Sequence, residues 1–170
     1  MLNAWRKRAE RKALAERICV ALNARSRAPV FYQVVGVPDT IDGRFDLLAL
    51  HAWLVLEKLE IAGRRDLAQA MTDRLFSSFD EGLRDLGAGD MGMGRRMKKL
   101  ASAFYGRLKA YSAASDEAEL AAAIDRNVFR GTGQNDTARM LALYARLARI
   151  HLGSADVTAG ELDFGPLPNG

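Results

Sequence analysis

Cysteine is almost missing from this 170-residue chain: Cys19 stands alone, so no internal disulfide and no CxxC zinc or redox site can form. A single thiol favours a reducing compartment. Histidine is as scarce. His51 and His151 lie far apart, and neither belongs to an HxxxH or HExxH spacing that sets two metal ligands on one helical face. There is no GxxxxGK[ST], no GxGxxG behind a strand and no GxSxG, so phosphate-cradling and acyl-transfer chemistry have no local support. Neither a metal nor a cofactor is expected. Long hydrophobic runs are missing too. The most apolar window, Leu47 to Leu59, is broken by His51, Glu57 and Lys58 and falls short of the roughly 20 residues that cross a bilayer. Trp5 to Lys12 supplies charges where a signal peptide needs an apolar core, and Glu10 and Glu16 argue against a mitochondrial presequence. The expectation is a cytoplasmic chain of bacterial type.

What the sequence does have is unevenly placed positive charge. The formal net charge is only +4, yet residues 1–30 carry a net of +6, and residues 151–170 a net of −3 from Asp156, Glu161 and Asp163. Arg6, Lys7, Arg8, Arg11 and Lys12 are either the solvated side of a helix or a surface that meets phosphate, in anionic lipid or in RNA.

Ala, Leu, Arg, Glu and Met dominate, and apolar residues recur every three or four positions. The pattern predicts an all-α, single-domain bundle of about six helices, with one short extended segment near residues 30–37, where Val30 to Val37 is the one β-branched and aromatic run. Three parts are expected: a basic N-terminal helix over 1–29, a helical domain over 30–152 and an acidic, flexible tail over 153–170. Helices are expected over 2–24, from behind Pro38-Asp39-Thr40 to Ala62, and over 66–86, 93–114, 116–127 and 136–151, the fifth capped by Ser115. The second is apolar nearly all round and belongs at the centre.

The helix over 93–114 separates its chemistry. Met97, Leu100, Phe104, Leu108 and Tyr111 fall on one side at 100° per residue, and Arg95, Arg96, Lys98, Lys99, Arg107 and Lys109 on the other, with no acid before Ser115. Either acids of a neighbouring helix, such as Asp80, Glu81 or Asp85, neutralise these cations, or a partner does. Met91 and Met93, in a glycine-rich loop, either offer flexible thioethers to an apolar client or fold back to cap the bundle. His51 lies in the most apolar helix, where burial lowers its pKa. It is a core histidine bonded to a backbone carbonyl or to Asp42 or Asp46, or part of an acid–base site with those carboxylates. Asp39, Asp42 and Asp46 are otherwise helix-start residues.

Pro38-Asp39-Thr40-Ile41-Asp42-Gly43-Arg44-Phe45-Asp46, followed by His51-Ala52-Trp53, resembles the ubiquinol-cytochrome c chaperone family. A second block runs from Leu86-Gly87-Ala88-Gly89-Asp90 through Arg96-Met97-Lys98-Lys99 to Tyr105-Gly106-Arg107 and Tyr111, and a weaker third covers 120–129. The chain is most similar to the shorter alphaproteobacterial form of the family, without the long N-terminal extension of eukaryotic members. The resemblance implies no enzymatic activity. It implies an assembly chaperone for the cytochrome bc1 complex, complex III of the respiratory chain, and cytochrome b or a bc1 assembly intermediate as partner at the cytoplasmic face of the inner membrane. Contact with the anionic membrane surface through residues 6–12, and with the ribosome or RNA through the basic face of 95–109, are further expectations. DNA is not an expected partner.

Overall fold

A helix that is apolar on every side is stable in water only when other helices surround it. In the computed structural model, which describes residues 2–168, that helix is α3 (Ile41–Ile61), buried without interruption from Asp46 to Val55. It touches α1 (Leu2–Ser26), α4 (Arg65–Asp85), α5 (Met93–Ala113), α6 (Glu117–Val128), α7 (Asn135–Ser154) and a 3-10 turn, Val157–Ala159. Each fully buried Leu or Val there contributes roughly 1.5–3 kcal/mol relative to exposure. Ala15, Ile18, Cys19 and Leu22 of α1 and Leu67, Met71 and Leu75 of α4 are buried as the two helices pack together, and α6 packs along α7. The architecture is all-α, with no strand among the described residues, and the six long helices lie within a few residues of their expected bounds.

Three expectations change. Residues 30–37 do not begin extended: Val30–Gln33 forms a one-turn helix, α2, which Pro29 starts and which buries Phe31. Burial of that ring overrides the strand preference of the β-branched residues around it. The cap of α6 is Asp116 in place of Ser115; its carboxylate accepts the Glu119 N–H at 2.8 Å, while Ser115 donates to the Glu119 carboxylate. The segment after α7 is a docked strap, where a flexible tail was expected. Val157, Phe164 and Pro168 are buried, and Arg25 of α1 donates to the Gly165 and Pro166 carbonyls at 2.7 and 3.0 Å.

Candidate interaction surfaces

The proline-led motif before α3 is largely a folding device. Thr40 is the N-cap, with its hydroxyl accepting the Gly43 N–H at 3.1 Å, and Asp39 pairs with Arg44 at 2.8 Å. Gly43 has no alternative, because a Cβ there would sit 1.9 Å from the Pro38 carbonyl oxygen. Asp42 lies exposed in the first turn, where a carboxylate favours the helix dipole. Phe45 packs edge-on to Phe79, with the Arg107 guanidinium 5.1 Å from its ring centre.

Arg107 is therefore not part of the outward basic face. It turns inward to the fully buried Asp46, with Nε donating at 2.7 Å and Nη2 at 2.6 Å, while its Nη1 donates to the Ala103 carbonyl. Arg130, held at φ 59° beyond α6, reaches the other Asp46 oxygen at 2.9 Å. Burial pushes the Asp46 carboxyl above its ordinary value against the pull of both guanidiniums. Tyr111 is buried beside this charge; burial first, and then the Asp46 carboxylate, raise its phenol. Trp53 is buried nearby and donates its N–H to Ser112 at 3.0 Å. The two motif blocks are thus joined by one buried ion pair. The sequence carried a signal for it, since Arg107 lies one turn from both Phe104 and Tyr111.

His51 is equally closed. Its Nδ1 meets the Leu47 carbonyl at 2.7 Å and its Nε2 the Tyr144 hydroxyl at 2.9 Å, and burial lowers its pKa to about 4. A carbonyl only accepts, so Nδ1 carries the proton and Nε2 accepts from Tyr144. Phe31 and Phe164 pack edge-on against the ring. With both ring nitrogens occupied, Asp46 held by arginines and Asp42 outside, the acid–base grouping of Asp42, Asp46 and His51 is not assembled. Cys19 is no nucleophile either: burial pushes its thiol up to about 12.

The open features lie elsewhere. Arg95, Arg96, Lys98, Lys99 and Lys109 stand exposed on α5, and none makes an ion pair among the described residues. Of the acids expected to neutralise them, two are engaged within α4, Asp80 with Arg84 at 2.8 Å and Glu81 with Arg74 at 3.9 Å, and Asp85 pairs with none of these cations. Met91 is 98% exposed, whereas Met93 is buried. Tyr105 is half-exposed and stacked on Phe76; Gly106 is exposed, with open space where a side chain would stand. At the N-terminus Arg6 pairs with Glu10 and Arg11 with Asp66, both at 3.5 Å, while Lys7, Arg8 and Lys12 make no ion pair among the described residues. The sequence did not reveal an apolar groove of about 270 Å³ between the end of α1, the start of α3, the end of α4 and Leu100 of α5. Phe45, Leu48, Phe79 and Leu83 line it, and Ile41 and Leu86 stand at its mouth, each about two-thirds exposed. No described helix is long and apolar enough to cross a membrane.

With this geometry established, three similarities to known proteins bear on it. The profile of the family described as Ubiquinol-cytochrome C chaperone matches residues 33–159. A Xenopus laevis protein named ubiquinol-cytochrome-c reductase complex assembly factor 1 is 24% identical over 135 residues, covering 77% of this chain. The chain spans 66% of that relative's length. The crystal structure of the Cbp3 homolog from Brucella abortus superposes with a TM-score of 0.84 at 35% identity, covering 97% of this chain and 96% of that one.

Proposed function

The chain belongs to the ubiquinol-cytochrome C chaperone family, and from that premise we propose that it is an assembly chaperone for the ubiquinol-cytochrome c reductase (bc1) complex, holding newly made cytochrome b at the cytoplasmic face of the inner membrane. The family is one of chaperones and assembly factors, not of enzymes. The observation that carries the reading is the apolar groove beside α3. A chaperone for a membrane protein has to shelter apolar side chains before they reach lipid, and a preformed groove between helices does so by accepting them at i, i+3 and i+4 spacing. This groove, with Ile41 and Leu86 exposed at its mouth, offers such a segment an apolar lining.

A photo-crosslinking residue at Leu86, introduced in the native host, tests this. The expected product is an adduct with cytochrome b, together with loss of assembled bc1 complex when the gene is deleted. Normal bc1 assembly in the deletion strain would overturn the reading.

A second reading, contact with ribosomal RNA, draws on the unpaired cations of α5 and on Lys7, Arg8 and Lys12. It predicts co-sedimentation with ribosomes in low salt that is lost on charge reversal at Arg95, Arg96, Lys98 and Lys99.

A further inference from the structure

We propose that the outward face of α5, together with the connection that leads into it from α4, rests on an anionic lipid surface; this deepens the membrane-side reading above by naming the face that meets the bilayer. Arg95, Lys98, Lys99 and Lys109 fall within an arc of about 100° and extend over about 21 Å of helix, and Arg96 flanks them. No acid occurs anywhere in α5. In water this arrangement works against the helix. Like charges at i,i+4 repel, and Arg95 and Arg96 occupy the first turn, where the positive end of the helix dipole disfavours cations. A negatively charged plane reverses the sign of both effects.

The apolar neighbour of these cations separates lipid from other polyanions. Met91, almost wholly exposed, stands in the same connection, two residues before α5 begins. A flexible thioether next to lysines and arginines suits the boundary between headgroups and acyl chains, whereas single-stranded RNA is gripped by aromatic stacking platforms. Tyr105, half-exposed further along α5, has one ring face stacked on Phe76, and its phenol suits the headgroup level. The acid nearest Met91, Asp90, is already paired with Arg84 at 2.8 Å. The N-terminal cations are a weaker candidate for the same role, because Arg6 and Arg11 have intramolecular carboxylate partners.

Flotation of the purified full chain with phosphatidylcholine vesicles, with and without about 30% phosphatidylglycerol, tests the proposal. The chain should bind the anionic vesicles and be released near 1 M salt, where the screening length falls to about 3 Å. Combined Arg95→Glu, Arg96→Glu, Lys98→Glu and Lys99→Glu should lower partitioning by about a hundredfold or more, on roughly 1 kcal/mol for each of the four cations at the surface. Met91→Asp should lower it severalfold, and Arg6→Glu with Lys7→Glu should have the smaller effect. All variants should keep the parent's helical circular dichroism. No preference for phosphatidylglycerol, or unchanged binding by the α5 variant, would overturn the proposal. Unchanged binding by Met91→Asp would overturn the part of the proposal that places the connection from α4 on the lipid. Vesicle binding is measured without client, so its failure is distinguishable from a failure of bc1 assembly in the deletion strain.

Discussion

The Arg25 Nε–H donates to the Tyr144 hydroxyl at 3.0 Å, although 119 residues separate the two in the chain. The Tyr144 O–H donates in turn to His51 Nε2, and His51 donates from Nδ1 to the Leu47 carbonyl, so one directed chain of hydrogen bonds links α1, α7 and α3. The same arginine holds the strap carbonyls of Gly165 and Pro166 and lies over the Phe164 ring. The C-terminal segment, the first helix and the core histidine are therefore fastened at one point.

His51 makes stability depend on pH. Its folded pKa of about 4 lies below the ordinary 6.5, so as pH falls the unfolded chain takes up the proton first. The contribution is whole above pH 6.5 and is lost as pH falls towards 4, amounting to about 3 kcal/mol across that window. Urea midpoints for the parent and for His51→Gln, measured between pH 7 and pH 4, should show the steeper decline in the parent. Parallel declines would contradict the buried neutral histidine.

Removing Arg25 should free the strap before it unfolds the bundle. Arg25→Ala deletes charge-assisted bonds to two carbonyls and one hydroxyl and is expected to cost about 2–3 kcal/mol. Hydrogen exchange should accelerate at the Gly165 amide, which donates to Asp163 at 2.8 Å, while amides of α3 keep their relative protection. Arg25→Lys should restore little, since an ammonium does not reproduce the guanidinium fork. Uniform acceleration across all helices would argue against a strap fastened at this residue.

The long helices were legible because each writes its buried face at a period of 3.6 and several announce their caps, as Thr40 and Gly63 do for α3. The misread parts depend on partners distant in sequence. Phe164 is a lone aromatic in a Gly- and Pro-bearing segment, and its burial requires Arg25 and His51 to converge on it from two helices. Four residues of α2 are too few to show a helical period. Arg107 reads as one of a series of cations because its partner, Asp46, lies 61 residues away in the chain. The groove arises from four elements together, so no single stretch of sequence contains it.

The Asp46 cluster should show unequal shares for its two arginines. Arg107, with a side chain only 14% exposed, is the internal partner, while Arg130 is about half exposed and held in a conformation that disfavours non-glycine residues. Arg107→Ala is expected to cost about 3–5 kcal/mol, because it leaves a buried carboxylate short of its main partner, and Arg130→Ala about 1 kcal/mol. Denaturant unfolding of the two variants gives the comparison directly. An equal loss from both would mean that Asp46 is shared evenly.

Two glycines within helices should respond oppositely to the same substitution. At Gly43 the added methyl meets the Pro38 carbonyl oxygen at 1.9 Å, a backbone atom that moves only if the turn before α3 is rebuilt. Gly43→Ala should therefore destabilise by a few kcal/mol, the usual range for overpacking. At Gly106 nothing lies within 4 Å of the added carbon, and the position is inside α5, where glycine costs about 1 kcal/mol relative to alanine. Gly106→Ala should raise the thermal midpoint by about 2–4 °C. Because the fold itself does not require this glycine, the informative comparison is between that midpoint and bc1 assembly in cells carrying the variant. Higher stability with impaired assembly would locate the requirement for Gly106 in a partner that approaches the α5 backbone closely. Higher stability with full assembly would show that the exposed centre of α5 tolerates a methyl group.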